Sequence, residues 1–257
     1  MSSARLLPSR LSDRRSVLRT GMLGALGIVT AGAALSGGRA NAAGIHGQDV
    51  SSHQGEVDWG AQAAAGSRFA WCKATEGTDY RNPFFAQQYG GSYEAGLAHG
   101  AYHFARPDGR NPVGEADFFI DNGGGWSDDG RTLPALLDLE GYHNLPANYG
   151  LTQPEMQDWI QRFCNRYTER VGRSPIIYSN VYWYRENVGA WAPDGAPLHI
   201  AAYQEKAPTN LPEPWTAWDV WQYSDSGPFA GDSNVFHGDE DAFKDFLVNP
   251  NYRPVGR

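Results

Sequence analysis

The chain has very few cysteines and lacks the usual metal-binding spacings. Its 257 residues include two cysteines, Cys72 and Cys164, and no CxxC, HExxH or paired-Cys pattern. Two cysteines are too few for a disulfide framework, and the missing spacings exclude the common zinc motifs, so we expect neither a metal nor another cofactor. Cys72 follows Trp71 in a predicted strand, and Cys164 follows Phe163 in a predicted helix. We therefore predict two buried free thiols and no bridge between them.

Basic residues are scarce as well. The chain carries 21 Lys and Arg against 29 Asp and Glu. Six arginines but only one acid lie in the first 42 residues, so the remainder holds 15 basic and 28 acidic side chains, a net charge of −13. Such a surface has no basic stripe to release counterions from phosphates, which excludes nucleic acid as a partner. An anionic wall polymer would have to be bound through contacts in a groove.

The first 42 residues have the pattern of an export signal. Paired arginines, Arg14 and Arg15, precede an uncharged stretch of Ala, Gly and Leu at residues 20–38, and Ala-Asn-Ala follows at 40–42. This pattern predicts a signal peptide of the twin-arginine type, removed so that the secreted protein begins near Ala43. Val17 stands where that signal prefers Phe, which leaves the general secretory route open. The stretch is too rich in Gly and Ala for a stable membrane anchor.

Beyond the signal, short apolar runs alternate with helix-like segments. This alternation predicts parallel βα units in a single α/β domain over residues 43–247, followed by a C-terminal tail at 248–257. After Pro175 the helical spacers shorten, so we expect fewer helices than strands. The predicted strands are 44–50, 68–74, 101–105, 133–139, 175–179, 198–203 and 217–223, and the predicted helices are 57–65, 84–97, 112–120 and 154–171.

The segment at 133–140, LPALLDLE, is an apolar strand that ends in two carboxylates, Asp138 and Glu140. Residues i and i+2 of a strand point the same way, so both acids project from one face. At the C-terminal end of a parallel strand they would enter the mouth of a barrel, where such enzymes keep their chemistry. Two buried like charges require one group to stay ionised and the other to hold a proton, as in glycosidases.

Other strand ends add the groups that a sugar site needs, namely further acids, aromatic faces, amides and hydroxyls. Asp49 ends the first strand, Tyr102 lies in the third, and Trp221 and Tyr223 lie in the seventh with Gln222 between them. His103, Glu76 and Lys73 are also near strand ends. We interpret His103 as a hydrogen-bonded wall residue, Glu76 as a loop cap and Lys73 as a buried ion-pair partner.

With these motifs in order, the sequence resembles the glycoside hydrolase family 25 lysozymes, the Chalaropsis type of N-acetylmuramidase, and specifically secreted actinobacterial members. The resemblance implies a TIM-like eight-stranded β/α barrel with fewer helices than strands. It also implies cleavage of the β-1,4 bond between N-acetylmuramic acid and N-acetylglucosamine in bacterial peptidoglycan, by a monomer. Six segments carry it: 47–51 with 57–59, 69–78, 100–107, 133–140, 221–224 and 232–236.

The same resemblance implies roles for single residues. Glu140 matches the general acid/base and Asp138 the second carboxylate, while Asp49 and Asp232 match the acids of the first and last strands. Three aromatic residues match the substrate groove, namely Tyr102, Tyr178 and Trp221, and Tyr223 is a further substrate-binding candidate. Near Asp232, the alternative acids are Asp225, Asp239 and Asp241.

The sequence leaves the mechanism open. Same-face strand neighbours have Cα atoms about 6.5 to 7 Å apart, so rotamers decide between retaining and inverting geometries. The resemblance favours a third route, in which the 2-acetamido group of the substrate attacks the anomeric carbon. In each route Glu140 must hold a proton near neutral pH, and we expect neighbouring charges to raise its pKa. The alternatives are a chitinase-like barrel glycosidase and a non-catalytic wall-binding protein.

Overall fold

In the computed structural model, which describes residues 44–256, nine strands form one sheet that closes on itself. The strands are β1 (Ile45–Val50), β2 (Phe69–Glu76), β3 (Tyr80–Arg81), β4 (Ala98–Phe104), β5 (Leu136–Asp138), β6 (Ile176–Asn180), β7 (Leu198–Ala201), β8 (Val220–Ser224) and β9 (Asp232–Phe236). The order is β1-β9-β8-β7-β6-β5-β4-β2-β3, and β1 also pairs with β2. Eight strands therefore make the closed barrel. The two-residue β3 lies outside this ring and pairs with the end of β2. The predicted eight-stranded barrel in a single domain is confirmed.

Six helices accompany the strands: α1 (Trp59–Ala64), α2 (Phe85–Glu94), α3 (Pro112–Asp121), α4 (Gln153–Val171), α5 (Val181–Asn187) and α6 (Glu240–Val248). The four predicted helices correspond to α1 to α4, with ends shifted by a few residues. Local chemistry explains the bounds. The side chain of Asn111 caps α3 with Pro112 in its first turn, and Thr152 with Glu155 forms a capping box on α4. Gly172, at φ 82°, ends α4 in the left-handed region.

The last strand departs from the βα pattern. β9 runs antiparallel to both β1 and β8, whereas the other pairings within the barrel are parallel. A connection of only seven residues separates β8 from β9, which is too short for the crossover that a parallel strand needs. Barrel closure through β9 places Asp49 of β1 opposite Asp232.

The buried apolar residues lie in the barrel interior and in two outer layers, and the smaller outer layer includes Val50, Trp59 and Cys72. The barrel interior contains Phe69, Trp71 and Leu136, and α6 closes one end with Phe243 and Phe246 packed on it. Between the outer wall and α3 and α4 lies a second core, which includes Leu137, Leu139, Phe119, Ile160 and Phe163. Because Leu137 and Leu139 face this outer layer, Asp138 and Glu140 between and after them face inward.

The segment after α6 returns to the wall of the barrel. Tyr252 donates its hydroxyl hydrogen to Asp219 at 2.9 Å, and the backbone N–H of Thr216 donates to the carbonyl of Gly256, also at 2.9 Å. Val248 is the last residue of α6. The segment predicted as a tail at 248–257 thus begins within the final helix turn and, as far as residue 256, lies against the domain.

Cys72 on β2 and Cys164 on α4 are both free and buried, as predicted. Burial raises the pKa of both thiols, that of Cys164 to about 12, so neither is a reactive thiolate. We expect the native protein to react with no thiol reagent within minutes and the denatured, unreduced protein to titrate two thiols. Finding no titratable thiol after denaturation would mean that the two residues are bridged.

Candidate active site

Asp138 and Glu140 lie where β5 reaches the mouth of the barrel opposite α6. Strand pairing continues past Asp138, since the N–H of Leu139 donates to the carbonyl of Tyr178 at 2.9 Å and the N–H of Ala105 donates to that of Asp138 at 3.0 Å. The hydroxyl of Tyr149 donates to the carbonyl of Glu140 at 2.7 Å. Asp138 is buried, and Glu140 is half-buried. The backbone on both sides of the pair is therefore held, and the acids share the inner face.

Asp49 and Asp232 form a second pair of acids on neighbouring strands. Their Cα atoms are ladder partners across β1 and β9. Burial raises the pKa of Asp49 to about 6, opposed by amide donors from Asn234 and Gln222. Burial raises the pKa of Asp232 further, to about 8, with the negative charges of Asp49, Asp225 and Glu140 adding to the effect. Two neighbouring buried carboxyl groups disfavour simultaneous ionisation, and the raised pKa values favour a proton on Asp232 over one on Asp49.

The hydroxyl of Tyr178 experiences the charge of acids from both pairs. Burial raises its pKa well above the ordinary value, and the negative charges of Glu140, Asp138 and Asp49 add to that rise. Electrostatic interactions weaken with distance, so Glu140, Asp138 and Asp49 all lie within electrostatic range of this tyrosine. Four predicted carboxylates, on β1, β5 and β9 and just beyond β5, are thereby brought to one mouth. Of the alternatives to Asp232, Asp239 caps α6 at the opposite end.

Gln222 lies at the centre of the hydrogen bonds around the second acid pair. Its Oε1 accepts from the hydroxyls of Tyr178 and Tyr203, both at 2.9 Å. Its Nε2 donates to Asp49 at 2.8 Å and to Asp232 at 3.3 Å. The side chain is only 1% exposed. This amide thus separates two hydroxyl groups from two acids in a water-poor environment.

Asn234 and His199 support Asp49 from the other side. Asn234 Nδ2 donates to Asp49 Oδ2 at 2.8 Å, and Asn234 Oδ1 lies 2.9 Å from His199 Nε2. Burial lowers the pKa of His199 to about 3, so the ring is neutral at physiological pH. A neutral ring facing an amide oxygen carries its proton on Nε2, which fixes the Nδ2 group of Asn234 toward Asp49.

The predicted aromatic residues divide between the two faces of the wall. Tyr102 and Tyr178 pack on the interior core. Trp221 and Tyr223 alternate with the inward Gln222 and contact each other at 5.7 Å between ring centroids. Trp221 packs on the outer core and donates to the carbonyl of Ala202 at 2.8 Å. The structure therefore does not bring Trp221 and Tyr223 together with the carboxylates, and their role in substrate binding stays a prediction.

Three polar residues near the strand ends have structural partners. Lys73 Nζ lies 2.7 Å from Glu76 Oε2, and Arg106 Nη1 lies 3.1 Å from Glu76 Oε1, so this acid is held by two cations. His103 faces outward and is buried between Thr75 at 2.8 Å and Glu115 at 2.9 Å. The interpretation of Lys73 as an ion-pair partner and of His103 as a wall residue is confirmed.

The sequence alone predicts no individual role for Gln222, Asn234, His199 or Tyr203. Gln222 and Asn234 lie within motifs that were noted, and strict alternation with Val220 and Phe236 could have placed them inside the barrel. No sequence pattern indicates a role for His199 or Tyr203, because their contacts exist only after β7, β8 and β9 assemble. In residues 44–256 no group of three or more His, Cys, Asp or Glu side chains is arranged to hold a metal ion.

Comparison with known proteins identifies the family of the chain. A family model described as Glycosyl hydrolases family 25 matches residues 48–232. The chain is 41% identical over 208 residues to lysozyme M1 of Streptomyces globisporus. This alignment covers 78% of this chain and 70% of that protein. It is 40% identical over 206 residues to the N,O-diacetylmuramidase of a Chalaropsis species. That alignment covers 78% of this chain and 97% of the relative.

Solved structures give the same result. The bacterial lysozyme from Streptomyces coelicolor superposes with a TM-score of 0.78 at 38% identity, covering 82% of this chain and 100% of that one. A family GH25 lysozyme from Aspergillus fumigatus also gives a TM-score of 0.78 at 40% identity, covering 80% of this chain and 99% of that one. These relatives and the matched family model confirm the resemblance found in the sequence. The chain therefore belongs to glycosyl hydrolases family 25 and is a glycoside hydrolase.

Proposed function

We propose that this protein is a secreted N-acetylmuramidase that cleaves the β-1,4 bond between N-acetylmuramic acid and N-acetylglucosamine in bacterial peptidoglycan. One observation carries the proposal: Asp138 and Glu140 project together from the end of β5 into a mouth that also holds Asp49 and Asp232. The relatives named lysozyme and N,O-diacetylmuramidase support this substrate.

In this mechanism Glu140 is the general acid and Asp138 the second carboxylate. Glu140 donates its proton to the glycosidic oxygen as the bond from that oxygen to the anomeric carbon breaks. The carbonyl oxygen of the 2-acetamido group attacks that carbon, and Asp138 stabilises the positive charge that develops on the acetamido group. Glu140, now a carboxylate, then removes a proton from water as the water attacks the same carbon and the bond from that carbon to the acetamido oxygen breaks, which restores the acetamido group. Two inversions at one carbon give net retention.

The charges around Glu140 support its assignment as the acid. Negative charge on Asp49 lies close enough to interact with Glu140, and the anionic form of Glu140 would add to that charge. Two carboxylates near one another disfavour simultaneous ionisation, which keeps a proton on the group that must donate it. Tyr149 holds the backbone of Glu140 at the end of the strand. Tyr102 and Tyr178 would border the sugar ring from the inner wall.

Export is part of the proposal. The paired arginines, uncharged stretch and Ala-Asn-Ala site lie at residues 1–42, outside the residues that the structure describes. Among residues 44–256, no helix combines the length and the apolar character that crossing a bilayer requires. We propose that the signal directs the domain outside the cell, where peptidoglycan is accessible, and that the domain acts as a monomer.

The bond that is cut tests the substrate assignment directly. Digestion of purified peptidoglycan, followed by borohydride reduction and mass spectrometry, should place N-acetylmuramic acid at every new reducing end. Reduced N-acetylglucosamine would instead identify a glucosaminidase, and hydrolysis of chitin oligosaccharides but not of peptidoglycan would favour the chitinase-like alternative. Wall binding without new reducing ends would contradict the catalytic proposal.

A further inference from the structure

The amide of Gln222 uses its full hydrogen-bonding capacity. A glutamine side chain has two acceptor positions on its oxygen and two N–H donors. Here both acceptor positions are taken by hydroxyls of Tyr178 and Tyr203, and both donors face carboxyl groups of Asp49 and Asp232. At 1% exposure, water offers no substitute for any of the four partners. The side chain is therefore held in a single orientation.

The direction of these hydrogen bonds is also determined. Tyr203 is 54% exposed, but desolvation and neighbouring negative charges raise the pKa of its hydroxyl as they do that of the buried Tyr178, so each keeps the proton that it donates. A reversed amide would direct its carbonyl oxygen at two acids and leave the N–H groups against two hydroxyls. Repulsion between the carbonyl and the anionic member of the pair opposes that arrangement. The two tyrosines thus hold the N–H groups of Gln222 toward the acids.

The two acids receive these donors unequally. Oδ2 of Asp49 accepts two short hydrogen bonds, from Gln222 Nε2 and Asn234 Nδ2, both at 2.8 Å. Asp232 accepts from Gln222 at 3.3 Å. Hydrogen bonds to an ionised acceptor are shorter and stronger than those to a neutral one. The geometry therefore favours negative charge on Asp49.

We propose that Gln222 is a positioning residue for the reaction: held by Tyr178 and Tyr203, it directs its amide at the acid pair so that Asp49 is ionised while Asp232 carries the shared proton. This inference rests on the proposed function for its role in catalysis, although the charge arrangement itself does not. The ionised Asp49 then faces Glu140 with a fixed negative charge, which helps Glu140 retain its proton before bond cleavage.

The environment of the pair contains other groups that could change its charge. Asp225 follows β8 and adds negative charge to Asp232. On β2, Lys73 is bound to Glu76, a carboxylate that it shares with Arg106. The ionisable groups facing the pair from the surrounding elements are Asp225 after β8, Asp138 and Glu140 at the end of β5, His199 on β7, Tyr178 on β6, Tyr203 after β7, and Lys73 with Glu76 on β2.

The test begins with Gln222→Met, which keeps the length of the side chain but removes all four hydrogen bonds. Rates on solubilised peptidoglycan are measured from pH 4 to 9. Loss of a donor to ionised Asp49 raises the pKa of that acid, so the ascending limb of the kcat profile should move to higher pH by about one unit. We also expect kcat at pH 6 to fall about fivefold, as a one-unit rise from a pKa of about 6 requires, with KM changed less than twofold.

Tyr203→Phe is the milder variant, since it removes one hydroxyl donor to the Gln222 oxygen and leaves the amide in place. The ascending limb of the kcat profile of Tyr203→Phe should also move to higher pH, by a smaller amount than in Gln222→Met. Tyr182→Phe is the matched control, because this tyrosine is 80% exposed on α5, and its profile should equal that of the parent. A fall in kcat without any movement of the limb in both Gln222→Met and Tyr203→Phe would overturn the proposal.

A spectroscopic measurement locates the proton without reference to activity. Infrared spectra of protein with 13C-labelled aspartate should show a neutral carboxyl band at pH 7 that Asp232→Asn removes. Persistence of the whole band in Asp232→Asn would contradict the assignment of the proton to that residue. If digestion releases N-acetylglucosamine reducing ends, the substrate proposal fails. The infrared carboxyl band and the pH shift of the ascending limb of the kcat profile still decide the inference about Gln222.

Discussion

Glu140→Gln should leave the fold intact and lower the rate of peptidoglycan hydrolysis by at least about 10²- to 10⁴-fold, the range attributed to general acid catalysis. The amide has the size of the acid but no proton to donate to a leaving oxygen. Glu140 is half-buried at the end of β5, and its backbone carbonyl is held by Tyr149, so the substitution changes chemistry rather than position. Turbidity clearing of bacterial walls measures the effect.

Glu76→Gln is the matched control for Glu140→Gln. Glu76 is also a half-buried glutamate at a strand end, but Lys73 and Arg106 both bind its carboxylate. Its substitution weakens an ion-pair cluster and should lower stability more than the rate at 25 °C. Wall clearing by Glu140→Gln near the parent rate would show that Glu140 is not the acid. Equal losses in both variants would show that the assay reports stability.

Much of the barrel was predictable because its first seven strands are apolar runs separated by helix or turn signals. The run at 133–139 contains β5, and the run at 175–179 lies within one residue of β6. The late elements were not predictable in the same way. Asp239 precedes α6 and the helix begins with Glu240 and Asp241, while its buried residues, Phe243, Phe246 and Leu247, all lie further along the helix. β9 carries polar residues on its inner face, so it lacks the pattern of an apolar run.

The candidate site was predictable only where one strand determines the geometry. Asp138 and Glu140 share a face because they are two residues apart, which is a property of the local chain. Which of Trp221 and Gln222 faces the barrel interior depends on which side of β8 is inside, and the local sequence does not determine that side. The partners of Gln222 come from β1, β6 and β9 and from the loop after β7, so no local pattern contains them.

Trp71→Ala should have the largest effect on stability, lowering the free energy of unfolding by about 3 to 5 kcal/mol, as for other large-to-small changes of aromatic core residues. The indole is fully buried in the barrel interior, contacts Phe69 and His199, and donates its N–H to the carbonyl of Pro134 at 2.9 Å. Gly100 leaves space for it, since a Cβ there would lie 2.9 Å from the ring. Urea denaturation of the domain measures the loss.

Trp71→Phe separates the cavity from the hydrogen bond. Phenylalanine retains much of the ring volume but has no N–H, so the buried carbonyl of Pro134 loses its donor, at a cost of about 1 to 3 kcal/mol. The loss in Trp71→Ala should therefore exceed that in Trp71→Phe, because only alanine also empties the interior. Equal losses would assign the whole effect to the hydrogen bond, and a change below about 1 kcal/mol in Trp71→Ala would contradict a close-packed barrel interior. Because His199 packs on this indole and positions Asn234 against Asp49, Trp71→Ala should also lower the rate of wall hydrolysis under conditions where the variant is still folded.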